Sequence, residues 1–82
     1  MSASDDDLSA LNDHALADLA RAAADELARR GNADGFGLLI DLSAHIGTAV
    51  GESARRLAEQ GSWSQVAAVS GTTKQAAWSR WR

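Results

Sequence analysis

At 82 residues, with eleven acidic and eight basic side chains and a formal net charge of −3, the chain is sized for one small domain with a marginal core. It has no cysteine and no proline, which excludes disulfide staples and thiolate-held zinc and leaves tight helix packing or oligomerisation to stabilise it. Eighteen alanines favour helix, and the valines, isoleucines and aromatics are too scattered for a sheet, so the composition predicts an all-α fold.

Residues 1–11 read as a flexible acidic leader, with Leu8 and Leu11 as candidates to pack back onto the body. The opening "MSASDDD" is acidic and has no apolar stretch behind it, unlike a secretory signal. No run of about 18 apolar residues suggests a transmembrane span, so the expected location is the cytoplasm, with no membrane partner.

Asn12 is a good N-cap, and Asp13 complements the helix dipole in the first turn. Leu16, Leu19, Ala20, Ala23 and Leu27 recur at helical spacing, and Arg29 and Arg30 precede Gly31-Asn32. This predicts a first helix over 13–30. "NADG" reads as a turn, and a second, longer helix starts near Asp34 and ends at about Gln60, before Gly61. On a wheel its apolar residues, among them Leu38, Leu57, Val50 and Ala54, fill an arc of about 200°, opposite Asp41, His45, Thr48, Glu52, Arg55 and Glu59. One neighbour needs a stripe of only about 100°. The arc therefore predicts two: the first helix, and either the same helix of a second chain or the C-terminal helices. Residues 12–50 are accordingly expected to form a helical hairpin that makes a homodimer through Leu16, Leu19, Leu27, Phe36, Leu39, Ile40, Leu42 and Ile46. Gly47 and Gly51, one turn apart, either permit close helix approach or simply weaken and bend the helix.

The last 22 residues, "GSWSQVAAVSGTTKQAAWSRWR", hold all three tryptophans, three basic residues and no acid. Ser62 and Gln65 form a capping-box pattern that starts a helix over Trp63–Ser70. Gly71 ends it, and Thr72 or Thr73 caps a final helix, with Gln75 completing a second possible box after Thr72. Charge follows the same division. Residues 1–50 carry three basic and nine acidic side chains, a net −6, and residues 51–82 carry five and two, a net +3. A basic end can dock on phosphates while the acidic part turns away.

"VAAVSGTTKQAAWSRW" resembles the helix-turn-helix motif of bacterial and phage repressors, and is similar to short segments of actinobacterial regulators. Ala67, Gly71 and Ala77 supply the pattern's small residue, turn glycine and apolar residue, while Ser70 and Thr72 stand where apolar residues are usual. The resemblance covers about 20 of the 82 residues. It implies a trihelical unit over 51–82, supported from beneath by Val50, Ala54, Leu57 and Ala58, with a recognition helix over about 73–82 in the major groove of double-stranded DNA. Thr73, Lys74, Gln75 and Ser79 are the implied base contacts. Ser62, Ser64, Thr72, Arg80, Arg82, Arg55 and Arg56 are the candidate phosphate contacts. A two-fold dimer would read half-sites about 34 Å apart, as a transcriptional regulator or repressor associated with the nucleoid.

Plainer readings stand beside these. Lys74 and Gln75 can be solvated helix residues, and Arg80 and Arg82 can simply complement a helix dipole. The tryptophans are expected in the core of the small unit. His14 and His45 are far apart with no carboxylate cluster, so no metal is expected. The motifs of phosphate loops, dinucleotide sites and zinc hydrolases are missing, so no catalytic residue, cofactor or enzymatic role is expected. Two other functions remain open: an adaptor that binds a protein partner through its apolar helices or acidic face, and an architectural or segregation protein with little sequence preference.

Overall fold

The computed structural model describes residues 5–82, which form five α-helices and no strand. They are α1 (Asp5–Ser9), α2 (Asp13–Arg30), α3 (Ala33–Gln60), α4 (Trp63–Ser70) and α5 (Lys74–Trp81). The chain divides into two compact units, Met1–Asp41 and Leu42–Arg82, with α3 continuing through the boundary.

In the first unit, α1 lies inside the segment expected to be a flexible leader. Its end is closed by main-chain bonds from Ala10 N–H to Asp7 O and Leu11 N–H to Leu8 O, and Leu8 is half-buried. A half-buried leucine, one of the two expected to pack back, gives this short turn a reason to persist, while Leu11, the other, is exposed. The expectation for residues 1–4 lies outside the described residues.

α2 has the predicted bounds. Asn12 Oδ1 accepts from Ala15 N–H at 2.8 Å, and Gly31 closes the helix in the left-handed region at φ 57°, its N–H donating to Ala28 O. Asn32 then caps α3, its Oδ1 accepting from Gly35 N–H at 2.7 Å. The turn is thus shorter than "NADG": Ala33 and Asp34 already belong to α3. Gly35 is buried, and a Cβ there would lie 3.0 Å from Leu27 O. The start of α3 is therefore pressed against the end of α2, and glycine permits the approach. Leu16, Leu27 and Leu39 are half-buried, but no residue of α2 is fully buried, and Leu19, Phe36 and Ile40 are exposed.

The second unit has the fuller core. Ala54 of α3, Val66 and Ala67 of α4 and Ala77 of α5 are buried together, with Leu57, Ala58, Trp63 and Trp81 packed around them. Small residues at the centre let the helices come close, and the two indoles close the sides. Ser62 Oγ caps α4 through Gln65 N–H at 3.3 Å. Gly71 ends α4 at φ 72°, its N–H donating to Ala67 O. Thr73, not Thr72, caps α5: its backbone is extended (φ −82°, ψ 159°), and its Oγ1 accepts from Ala76 N–H at 3.1 Å. Thr72 instead spends its N–H on Ala67 O. Ser70, where the repressor pattern usually has an apolar residue, satisfies its hydroxyl by donating to Val66 O at 2.8 Å.

Two core expectations need correction. Val50, expected beneath the unit, is exposed, because the buried side of α3 runs through Gly51, Ala54 and Ala58. Trp78 is exposed as well. It is turned about 100° around α5 from the enclosed Ala77.

Candidate nucleic-acid interface

The last helix turns two kinds of surface in opposite directions. Ala77 has no exposed surface and Trp81 packs on the core. Gln75 and Ser79, one turn apart, are exposed, as are Lys74 and the cap Thr73. The structure therefore brings the four expected base-contacting residues onto one short element. Thr73 carries a second duty, because one lone pair of its hydroxyl oxygen is occupied by the cap, which leaves its hydrogen and one further lone pair to face outward. The first turn of α5 holds Lys74 and no acid.

The candidate phosphate-binding residues are placed differently from one another. Ser62 is the cap of α4, and Ser64 and Thr72 are exposed near the two ends of that helix. Arg82 lies over the ring of Trp78, its guanidinium carbon 4.4 Å from the centroid, and Arg80 lies 5.2 Å from the ring of Trp81. Stacking on an indole orients a guanidinium without neutralising it. Arg82 and the exposed Trp78 thus form a flat, cationic, aromatic edge on α5.

Arg55 and Arg56 have protein partners. Arg55 Nη1 donates to Trp81 O at 3.1 Å, and Arg56 Nη2 pairs with Glu52 Oε1 at 2.9 Å. Sequence reasoning missed the first role. The available signal was the preference of cations for the carbonyl end of a helix, which cannot by itself say that α3 supplies the cation for α5. Among the described residues, no group of three His, Asp or Glu side chains could hold a metal ion, and no helix is long and apolar enough to cross a membrane.

No protein-family model matches the chain, and comparisons with curated proteins and with solved structures find no match.

Proposed function

We propose that the chain is a homodimeric helix-turn-helix regulator that binds double-stranded DNA with α5 in the major groove. The observation that carries this reading is the first turn of α5. Thr73, Lys74 and Gln75 stand exposed there, at the start of a helix that Ala77 and Trp81 hold against the core, after a left-handed glycine turn. Lys74 can donate to guanine O6 and N7, and Gln75 can pair bidentately with adenine. Ser79 lies one turn further along the same face. Ser62, Ser64, Thr72, Arg80 and Arg82 are the groups best able to hold flanking phosphates. Arg55 and Arg56 are better read as supports, since each already has a partner.

Dimerisation supplies what one small unit lacks, a doubled set of phosphate contacts. The exposed and half-exposed apolar residues Leu16, Leu19, Leu27, Phe36, Leu39, Ile40, Leu42 and Ile46 are suited to that role. The same exposure favours a second reading, an adaptor whose apolar helices bind another protein.

Fluorescence anisotropy on random and genomic duplexes at two salt concentrations separates the readings. The regulator reading expects tight binding to a subset of duplexes, weakened by salt and lost in Lys74→Ala/Gln75→Ala. No binding at low salt by the folded protein sinks it and leaves the adaptor.

A further inference from the structure

The eight cations of the chain divide by what they touch. Arg21, Arg29, Arg30 and Arg56 each pair with a carboxylate on their own helix. Arg55 donates to the Trp81 carbonyl oxygen. The remaining three, Lys74, Arg80 and Arg82, lie within residues 74–82, and among the described residues none of them pairs with a carboxylate. The chain has eleven acidic side chains, so carboxylates are not scarce. They are kept away from this one segment.

Trp78 stands out in the same segment. It is 44% exposed, while Trp63 and Trp81 pack on the core. Core packing therefore does not explain an indole at this position. What lies over its ring is the Arg82 guanidinium, 4.4 Å from the centroid. Arg82 N–H donates to Trp78 O at 3.0 Å, so the helical register reaches it. Residues 75, 78, 79 and 82 then fall on one face of α5, at i, i+3, i+4 and i+7. Trp78 and Arg82 thus continue the face that Gln75 and Ser79 open. The same pair walls an open cleft with Arg55, Ala58, Glu59 and Trp63. Two arginines against one glutamate make that cleft net +1, in a chain of net −3.

We propose that Trp78 positions Arg82 to hold one backbone phosphate of bound DNA, just beyond the bases that Gln75 reads. The inference rests on the reading of α5 as the recognition helix, and adds a role for the one tryptophan outside the core. Arg82 stands seven residues, or roughly 10 Å, along the helix from Gln75. The start of a recognition helix reaches base edges, whereas its far end meets the backbone. Phosphate is the anion found there. An arginine side chain loses rotamer freedom when it binds. A guanidinium already stacked on an indole has given up part of that freedom before DNA arrives. Stacking uses the flat face of the guanidinium and leaves its in-plane N–H groups unspent. Those are the groups that a phosphate takes in pairs. Indole is also the strongest of the aromatic partners for a cation.

Anisotropy titrations of the full chain against a duplex selected from a random pool, and against an unselected one, test the proposal. Arg82→Ala should weaken both alike and lower the slope of log K against log salt by about 1. Trp78→Leu keeps an apolar helix former and removes the ring. It should weaken binding by about two- to five-fold, the worth of an exposed cation–π contact, and should cost nothing further once Arg82 is alanine. Trp78→Phe restores a ring face and should recover most of the loss. A merely structural role for Trp78 would weaken binding equally with and without Arg82. Circular dichroism should show the variants as helical as the wild type, because neither side chain belongs to the core. Arg82→Lys leaves Trp78 in place and keeps the charge but loses the planar stack. It should bind about two- to five-fold more weakly than the wild type, and equality with the wild type overturns the inference even where a Trp78 variant fails to fold. Additive losses in the two positions, no loss in Trp78→Leu, or no recovery in Trp78→Phe also overturns it. So does a changed duplex preference in Arg82→Ala, which would make Arg82 a base contact. Selective binding with additive losses would overturn this inference and spare α5 recognition; a wild type that binds no duplex at low salt would overturn both.

Discussion

Arg55, near the end of α3, donates from Nη1 to the main-chain carbonyl oxygen of Trp81 at 3.1 Å, 26 residues away along the chain. This contact ties the last turn of α5 to the helix beneath it. The last carbonyls of a helix have no partner within the helix, so a cation there both satisfies an acceptor and opposes the dipole. Arg55→Ala should cost about 1 kcal/mol, the usual worth of such a bond at an exposed site. Tryptophan fluorescence should report the loosening of Trp81. A variant with unchanged stability and emission would show that the contact holds nothing.

Glycines in this chain should respond to alanine with opposite signs. Gly71 sits at φ 72° with open space around its missing Cβ, so its substitution is strained by the backbone alone. Gly71→Ala should destabilise by about 1–2 kcal/mol. Gly47 is inside α3, and a Cβ there would also meet nothing. Gly47→Ala should raise stability by about 0.5–1 kcal/mol through helix propensity. Urea unfolding of both variants gives the comparison, and the same sign for the two would contradict the turn geometry.

Thr73 permits stability and recognition to be pulled apart. Thr73→Ala should cost about 1 kcal/mol through loss of the cap. Thr73→Asp keeps a good cap but places a negative charge on the proposed DNA face. It should melt near the wild-type temperature and lose DNA affinity. If Thr73→Asp binds DNA as well as the wild type, the start of α5 does not face phosphate or bases.

Glu26 gives a pH dependence with a definite sign. Hydrogen bonds from Arg29 first and Arg30 second hold its carboxyl below the ordinary carboxylate value. A carboxylate whose pKa falls on folding stabilises the folded state above its unfolded pKa and ceases to as pH drops through the folded one. The end of α2 should therefore lose stability as the solution becomes more acidic than the carboxylate range. Because the group is exposed, the effect is small and weakened by salt. Hydrogen exchange at the end of α2, followed against pH in wild type and Glu26→Gln, should show a flatter profile in the variant.

Much of the helix layout was legible from a few residues, because capping is local chemistry. Asn12, Gly31, Ser62 and Gly71 each act on neighbours three or four positions away, and each sits where its side chain or its permissive backbone predicts. Thr72 and Thr73 were not separable in this way, since both are threonines and only the extended backbone at 73 decides between them. Asn32 was missed because the residues after it read as a turn. Contacts between distant segments were the least legible. Periodicity reveals that α3 has an apolar side wider than one neighbour can cover. It does not reveal that Gly51, Ala54 and Ala58 meet the other helices while Val50 faces outward. The exposed Trp78 and its Arg82 partner came from the same limit: a large indole suits the core by composition, and only the rotation of α5 about Ala77 turns it away.

The core joining α3, α4 and α5 is made of three alanines and one valine, with Ala77 wholly enclosed. Such a centre has almost no tolerance for added volume, so these four positions are nearly closed to mutational drift. Gln75 and Ser79, on the outward side of α5, and Lys74, exposed in its first turn, carry no share of that packing. The unit is thereby divided into a part that must stay constant and a part free to vary. Descendants of this chain can acquire a different binding preference by single substitutions on one helix face, without first finding a compensating change in the interior.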